Sequence, residues 1–106
     1  MNKPFRYIFG VRFTSLEALL AWIPFWEETS RIIQQESGAR GTRLHRLRYE
    51  LTTIAIAEWE SKEARDQAFK NLEKKYPPDH IVHKSNSDFG EVFIVGNADE
   101  ISTVIL

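Results

Sequence analysis

Cysteine is absent from this chain of 106 residues. That excludes disulfides, thiolate nucleophiles and Cys-ligated metals together, and it predicts a reducing, cytoplasmic setting. Net charge is nearly absent too: 14 Lys and Arg against 15 Asp and Glu leave −1. Such a balance sets up no global field to gather nucleic acid or an anionic membrane. No apolar run approaches the length that spans a bilayer. The opening "MNKPFRYIFG" lacks a long apolar core with a small-residue cleavage site, so secretion is not expected. Nucleophile motifs, phosphate loops and nucleotide-binding glycines are missing, as is the aromatic RNA-binding motif, of which "LTTIAIAEWE" has nothing. What remains, 42% hydrophobic and 27% charged, reads as one globular domain over residues 1–106. Aromatics, at 12%, are plentiful, and Trp22 and Trp26 share one predicted helix. So much ring surface predicts a large-residue core or an apolar surface that meets something.

The periodicities give an element order. "FRYIFGVRF" alternates, with Phe5, Tyr7, Phe9, Val11 and Phe13 on one side, and reads as a strand. From Thr14 or Ser15 to Gly38 the period becomes helical, with Leu16, Leu19 or Leu20, Ile23, Trp26 and Ile33 on one face. Pro24 lies inside and predicts two helical pieces that meet there. Strands at about 41–49 and 52–59 are too close for a crossover and form an antiparallel hairpin. "SKEARDQAFKNLEKKYPP" is a second helix with Ser61 as its cap, stopped by Pro77 and Pro78. A polar loop and a strand "EVFIVG" follow, and the tail "NADEISTVIL" is apolar enough for a short fifth strand or an arm. The order β-α-β-β-α-β is the α+β, ferredoxin-like arrangement, an antiparallel sheet with two helices on one face.

Helices cover one face only, yet the strands are apolar on both. Ile54 and Ile56 oppose Thr53, Ala55, Ala57 and Trp59, and Val92 and Ile94 oppose Phe93 and Val95. A second cover is required, and another copy of the chain is the simplest, so a homodimer is expected.

"AEWESKEARDQAF" resembles the W-x-S-x-x-[AE]-x-x-x-[AF] segment of antibiotic biosynthesis monooxygenase-like domains in the dimeric α+β barrel superfamily, and the "ESGARGTRLHR" turn is similar to theirs. The likeness spans residues 5–96. It implies a homodimer of two sheets packed as a barrel, with a pocket in each protomer between sheet and helices. Members include cofactor-independent monooxygenases that turn polycyclic phenols into quinones, others that degrade haem, and many of no assigned activity. Trp59 matches the tryptophan that quinone-forming members place near substrate. Their asparagine four residues earlier is Ala55 here. Where haem-degrading members carry Asn, Trp and His, this chain has Phe9, Ala68 and a residue near Pro78.

Trp59 is either the flat wall of an aromatic pocket or a plug over Ala55 and Ala57 where strand meets helix. His45 is the best general-base candidate, with a pKa range near neutrality. Its neighbours Arg40, Arg43, Arg46 and Arg48 suit an anion, or pair with acids such as Glu50. Tyr7 and Tyr49 are candidate proton donors to a phenolic ligand, and Tyr7, Phe9, Trp22, Trp26, His45 and Trp59 are expected to enclose the ligand volume. Asp79, His80 and His83 have no convincing further ligand, so no metal and no cofactor is expected. The sequence therefore predicts a homodimeric barrel that binds a small apolar or aromatic molecule. Cofactor-free oxidation, non-catalytic binding or stress function, and a purely structural dimer all stay open.

Overall fold

The computed structural model describes residues 4–105. β1 (Phe5–Arg12), α1 (Leu16–Ile33), β2 (Ala39–Arg46), β3 (Thr52–Trp59), α2 (Lys62–Lys75) and β4 (Glu91–Asp99) follow one another. Two 3-10 turns, at Ile81–His83 and Asn86–Asp88, lie in the loop before β4. The sheet order is β2-β3-β1-β4 with every neighbour antiparallel. This is the predicted ferredoxin-like topology.

Registers assign each side chain to a face. Opposed residues share one side of a sheet, so Thr42, Ala57 and Tyr7 form one row under the helices, and Leu44, Ala55 and Phe9 the next. On the outer face, Arg43, Ile56 and Ile8 form one row, and His45, Ile54, Gly10 and Phe93 another. A Cβ on Gly10 would collide with the Phe93 ring. Glycine there lets the ring lie flat on β1, and Arg12 stacks over it at 4.1 Å.

Both helices start as read. Ser15 accepts from the Ala18 amide and Ser61 from the Ala64 amide, each at 3.1 Å, so each occupies a free donor of a first turn. Pro24 does not divide α1, which runs unbroken through it. The lost hydrogen bond would have used the carbonyl of Leu20, and Leu20 and Pro24 both face solvent, where water can take that carbonyl. The buried stripe is also rotated from the predicted one. Leu19, Trp22, Phe25 and Thr29 are buried, whereas Leu16 and Leu20 are exposed. Thr29 tolerates burial because its hydroxyl donates to the Phe25 carbonyl at 2.9 Å.

Three boundaries differ from the sequence reading. β2 begins at Ala39 and accommodates a register shift before Thr42 through Gly41, whose φ is +103°. The hairpin is longer than predicted at its tip: Leu47–Glu50 form a turn, with the Glu50 amide on the Leu47 carbonyl at 3.0 Å. The tail forms no fifth strand among the described residues. Asn97–Asp99 continue β4, and 100–105 run on without regular structure, with Ile101, Val104 and Ile105 exposed.

Just past the C-terminal end of α1, Glu36 is buried and accepts from Nζ of Lys75, the last residue of α2, at 2.8 Å. That hydrogen bond, opposed by burial, holds the Glu36 carboxyl below its ordinary 4.5.

Two of these features can be tested through stability. Tyr49 holds a left-handed φ of +68° at the exposed hairpin tip, so Tyr49→Gly is expected to stabilise the fold by about 0.5–1 kcal/mol, read from denaturant unfolding. A carboxyl whose folded pKa is depressed adds stability above its unfolded pKa and loses it as pH falls through the folded one. The Tm gap between wild type and Glu36→Gln should therefore narrow as pH drops below 4.5; a constant gap by calorimetry would contradict the pairing.

Candidate functional site

The layer between sheet and helices is anchored at two separate places. Val11, Phe13, Leu19, Trp22 and Phe25 make one cluster, and Phe5, Trp59 and Ala68 the other. Between them lies a cavity of about 320 Å³. Six rings wall it: Tyr7 and Phe9 from β1, Phe25 and Trp26 from α1, Trp59 from the end of β3 and Phe69 from α2. Ala57, opposite Tyr7, is the small residue that leaves the floor open. Val82, Lys84, Ser85 and Asn86 of the loop before β4 also line it. The volume lies in the range of small-molecule pockets, and polar side chains, among them Thr29, Ser30, Gln34, Thr42 and Arg65, share the lining with the rings.

Several of its polar groups already have partners. The Thr42 hydroxyl donates to the Ile56 carbonyl at 3.2 Å, and Gln34 Oε1 accepts from the Gly41 amide at 2.7 Å. Arg65 is different. Its guanidinium lies over Tyr7 and Phe69, and its Nε is buried with no acceptor. Its contact with Asp66 is secondary for that carboxyl, which is held below its usual range first by the hydrogen bond from Lys62. Among the described residues no Asp, Glu or His lines the cavity.

Four of the residues singled out in the sequence, Tyr7, Phe9, Trp26 and Trp59, meet at the cavity. Trp59 is 1% exposed and also belongs to the second core cluster, so wall and plug are one position. Trp22 instead is fully buried in the first cluster, and its indole N–H donates to Asn86 Oδ1 at 3.1 Å. The expectation that His45 shares this volume is corrected: it pairs with Ile54 on the opposite face and is exposed. Strand parity decides this, because Leu44 is the β2 residue opposite Ala55. Tyr49 is 93% exposed at the hairpin tip, far from any enclosed volume. His80 Nδ1 accepts from the Val82 amide and His83 Nε2 lies 3.2 Å from the Tyr76 carbonyl, so both rings serve the loop.

Arg65, Phe25 and Phe69 were not among the expected ligand-binding residues. A signal for Arg65 existed, since it falls at helical spacing with Ala68, Phe69 and Leu72 on the inward stripe of α2. A charge on an apolar stripe marks a position with a special environment.

Comparison with known proteins places the fold. No family model matches the chain, and no curated protein matches it by sequence. Among solved structures, a dimeric ferredoxin-like protein from an uncultured marine organism superposes with a TM-score of 0.74 at 14% identity, over 98% of this chain and 93% of that one. The cofactor-independent oxygenase SnoaB from Streptomyces nogalater, in a mutant form, gives 0.72 at 12% identity over 98% and 97%. An antibiotic biosynthesis monooxygenase gives 0.64 at 15% over 92% and 99%. The chain therefore has the protomer fold of the antibiotic biosynthesis monooxygenase-like α+β barrels, as the "AEWESKEARDQAF" segment implied. No helix among the described residues is long and apolar enough to cross a membrane.

The Trp22–Asn86 hydrogen bond fastens the loop to α1. Asn86→Ala leaves a fully buried indole N–H without its acceptor and is expected to cost about 1–3 kcal/mol, measured by urea unfolding; a loss below that range would mean that water replaces the amide.

Proposed function

We propose that the protein binds a flat aromatic molecule of naphthalene size in the cavity of each protomer of a homodimer. The observation that carries this reading is the open volume of about 320 Å³ between two filled core clusters, walled by six rings. Ring-on-ring contact and apolar burial favour such a ligand over an aliphatic one of the same volume. Dimerisation is supported by the outer sheet face. Its Ile8, Ile54, Ile56 and Phe93 remain only half-buried in one copy, and an antiparallel sheet left bare is expected to carry polar residues there. The cysteine-free composition suits a cytoplasmic protein.

A second reading, cofactor-free oxidation, is supported by the scaffold shared with SnoaB and by Tyr7 and Trp59 at the same cavity. In it a bound phenol and dioxygen give a quinone and water, and the site must help the phenol lose its proton. Two observations weigh toward binding without turnover. The resemblance aligns the buried Ala55 with the asparagine of quinone-forming members, and among the described residues no histidine or carboxylate lines the cavity.

One experiment separates these outcomes. Calorimetric titration of 2-naphthol should show saturable binding to the wild type, at one site per protomer. Ala57→Leu, which fills the floor, should abolish it without lowering Tm. No heat with wild type from either 2-naphthol or 2-naphthoate would overturn the reading. Oxygen uptake during incubation with a hydroxylated polycyclic aromatic would move the conclusion to the oxidase, and sedimentation at 12.4 kDa instead of twice that mass would remove the dimer.

A further inference from the structure

The charge of the cavity is one-sided. Arg65 and Lys84 line it, with no carboxylate among the described residues. The Arg65 guanidinium carbon lies 5.1 Å from the Tyr7 centroid and 4.8 Å from the Phe69 centroid. Two rings therefore hold the guanidinium in place before any ligand arrives. Its only hydrogen-bond partner among the described residues is Asp66 Oδ1, 3.3 Å from one terminal nitrogen, and Asp66 also receives Lys62 at 2.9 Å. A guanidinium has five N–H donors in a fixed fork; the Arg65 side chain is 29% exposed, whereas its Nε is buried and has no acceptor among the described residues. Leaving a charged donor without a partner away from water is unfavourable. The group that best matches the fork is a carboxylate, whose two oxygens accept in parallel. Lys84, exposed at the same cavity, adds attraction of the same sign.

We propose that the cavity selects flat aromatic carboxylates over neutral aromatics of the same size, with Arg65 as the anchor of the carboxylate. This inference rests on the ligand-binding reading above and adds the ligand's charge to it.

The test titrates 2-naphthoate, its methyl ester and 2-naphthol into wild type, Arg65→Met, Arg65→Lys and Lys84→Met by calorimetry. The acid should bind wild type at least about tenfold tighter than the ester, as a charge-assisted hydrogen bond provides. Arg65→Met should remove that preference by weakening the acid far more than the ester, and residual saturable binding of the ester shows that the variant keeps its cavity. Arg65→Lys should retain part of the preference and Lys84→Met most of it. If the ester and 2-naphthol bind but the acid binds no tighter, the charge selection is overturned and the cavity reading survives. If the preference follows Lys84 and not Arg65, the anchor is wrong. If none of the three binds, both proposals fall together.

Discussion

The structure depends on how two helices settle on a sheet in which one central strand, β3, carries small residues in its middle. Large side chains stand at both ends of the covered face, Phe5 with Trp59 at one and Val11 with Phe13 at the other, and alanines occupy β3 between them. Helices that rest on the ends are held away from the middle. Close-packed interiors normally leave little space, so the gap above Ala57 records a choice of residue size along one strand. Six rings and Arg65 are gathered around that gap.

The same alternation explains why one tryptophan serves two purposes. Trp59 closes β3, packs with Phe5 and Ala68, and gives its other side to the enclosed space. Only a side chain this large reaches both. The serine two residues later caps α2, which fixes where the inward stripe of that helix begins and so brings Arg65 over Tyr7 and Phe69 beside Trp59. A short segment from the end of a strand to the second turn of a helix thus sets wall, entry angle and charge together.

Much of the fold was legible because period two and period 3.6 are strong signals where apolar residues are large. Element order, the Ser61 cap and the apolar face of β1 are readable from the chain, and the first helix start is narrowed to Thr14 or Ser15. The candidate site was only half readable. Tyr7, Phe9 and Trp59 follow from strand parity, but His45 required knowing that Leu44 pairs with Ala55, and that register depends on the bulge at Gly41. The sequence points to a rotated stripe of α1 because Thr29 is polar by type, while in the fold its hydroxyl turns back on its own helix. Arg65 shows the opposite difficulty: a charge at an inward position reads as a solvated residue unless its helical neighbours are counted.

The surplus residue in β4 bears on how copies of this chain assemble. Ile8 pairs with Gly96 and Phe9 with Ile94, which leaves Val95 outside the ladder. The free edge of that strand is therefore bent, and a bent edge is a poor template for another molecule's backbone. Growth sideways into an endless ribbon is disfavoured, so the dimer proposed above would form through the broad outer surface and not through this edge.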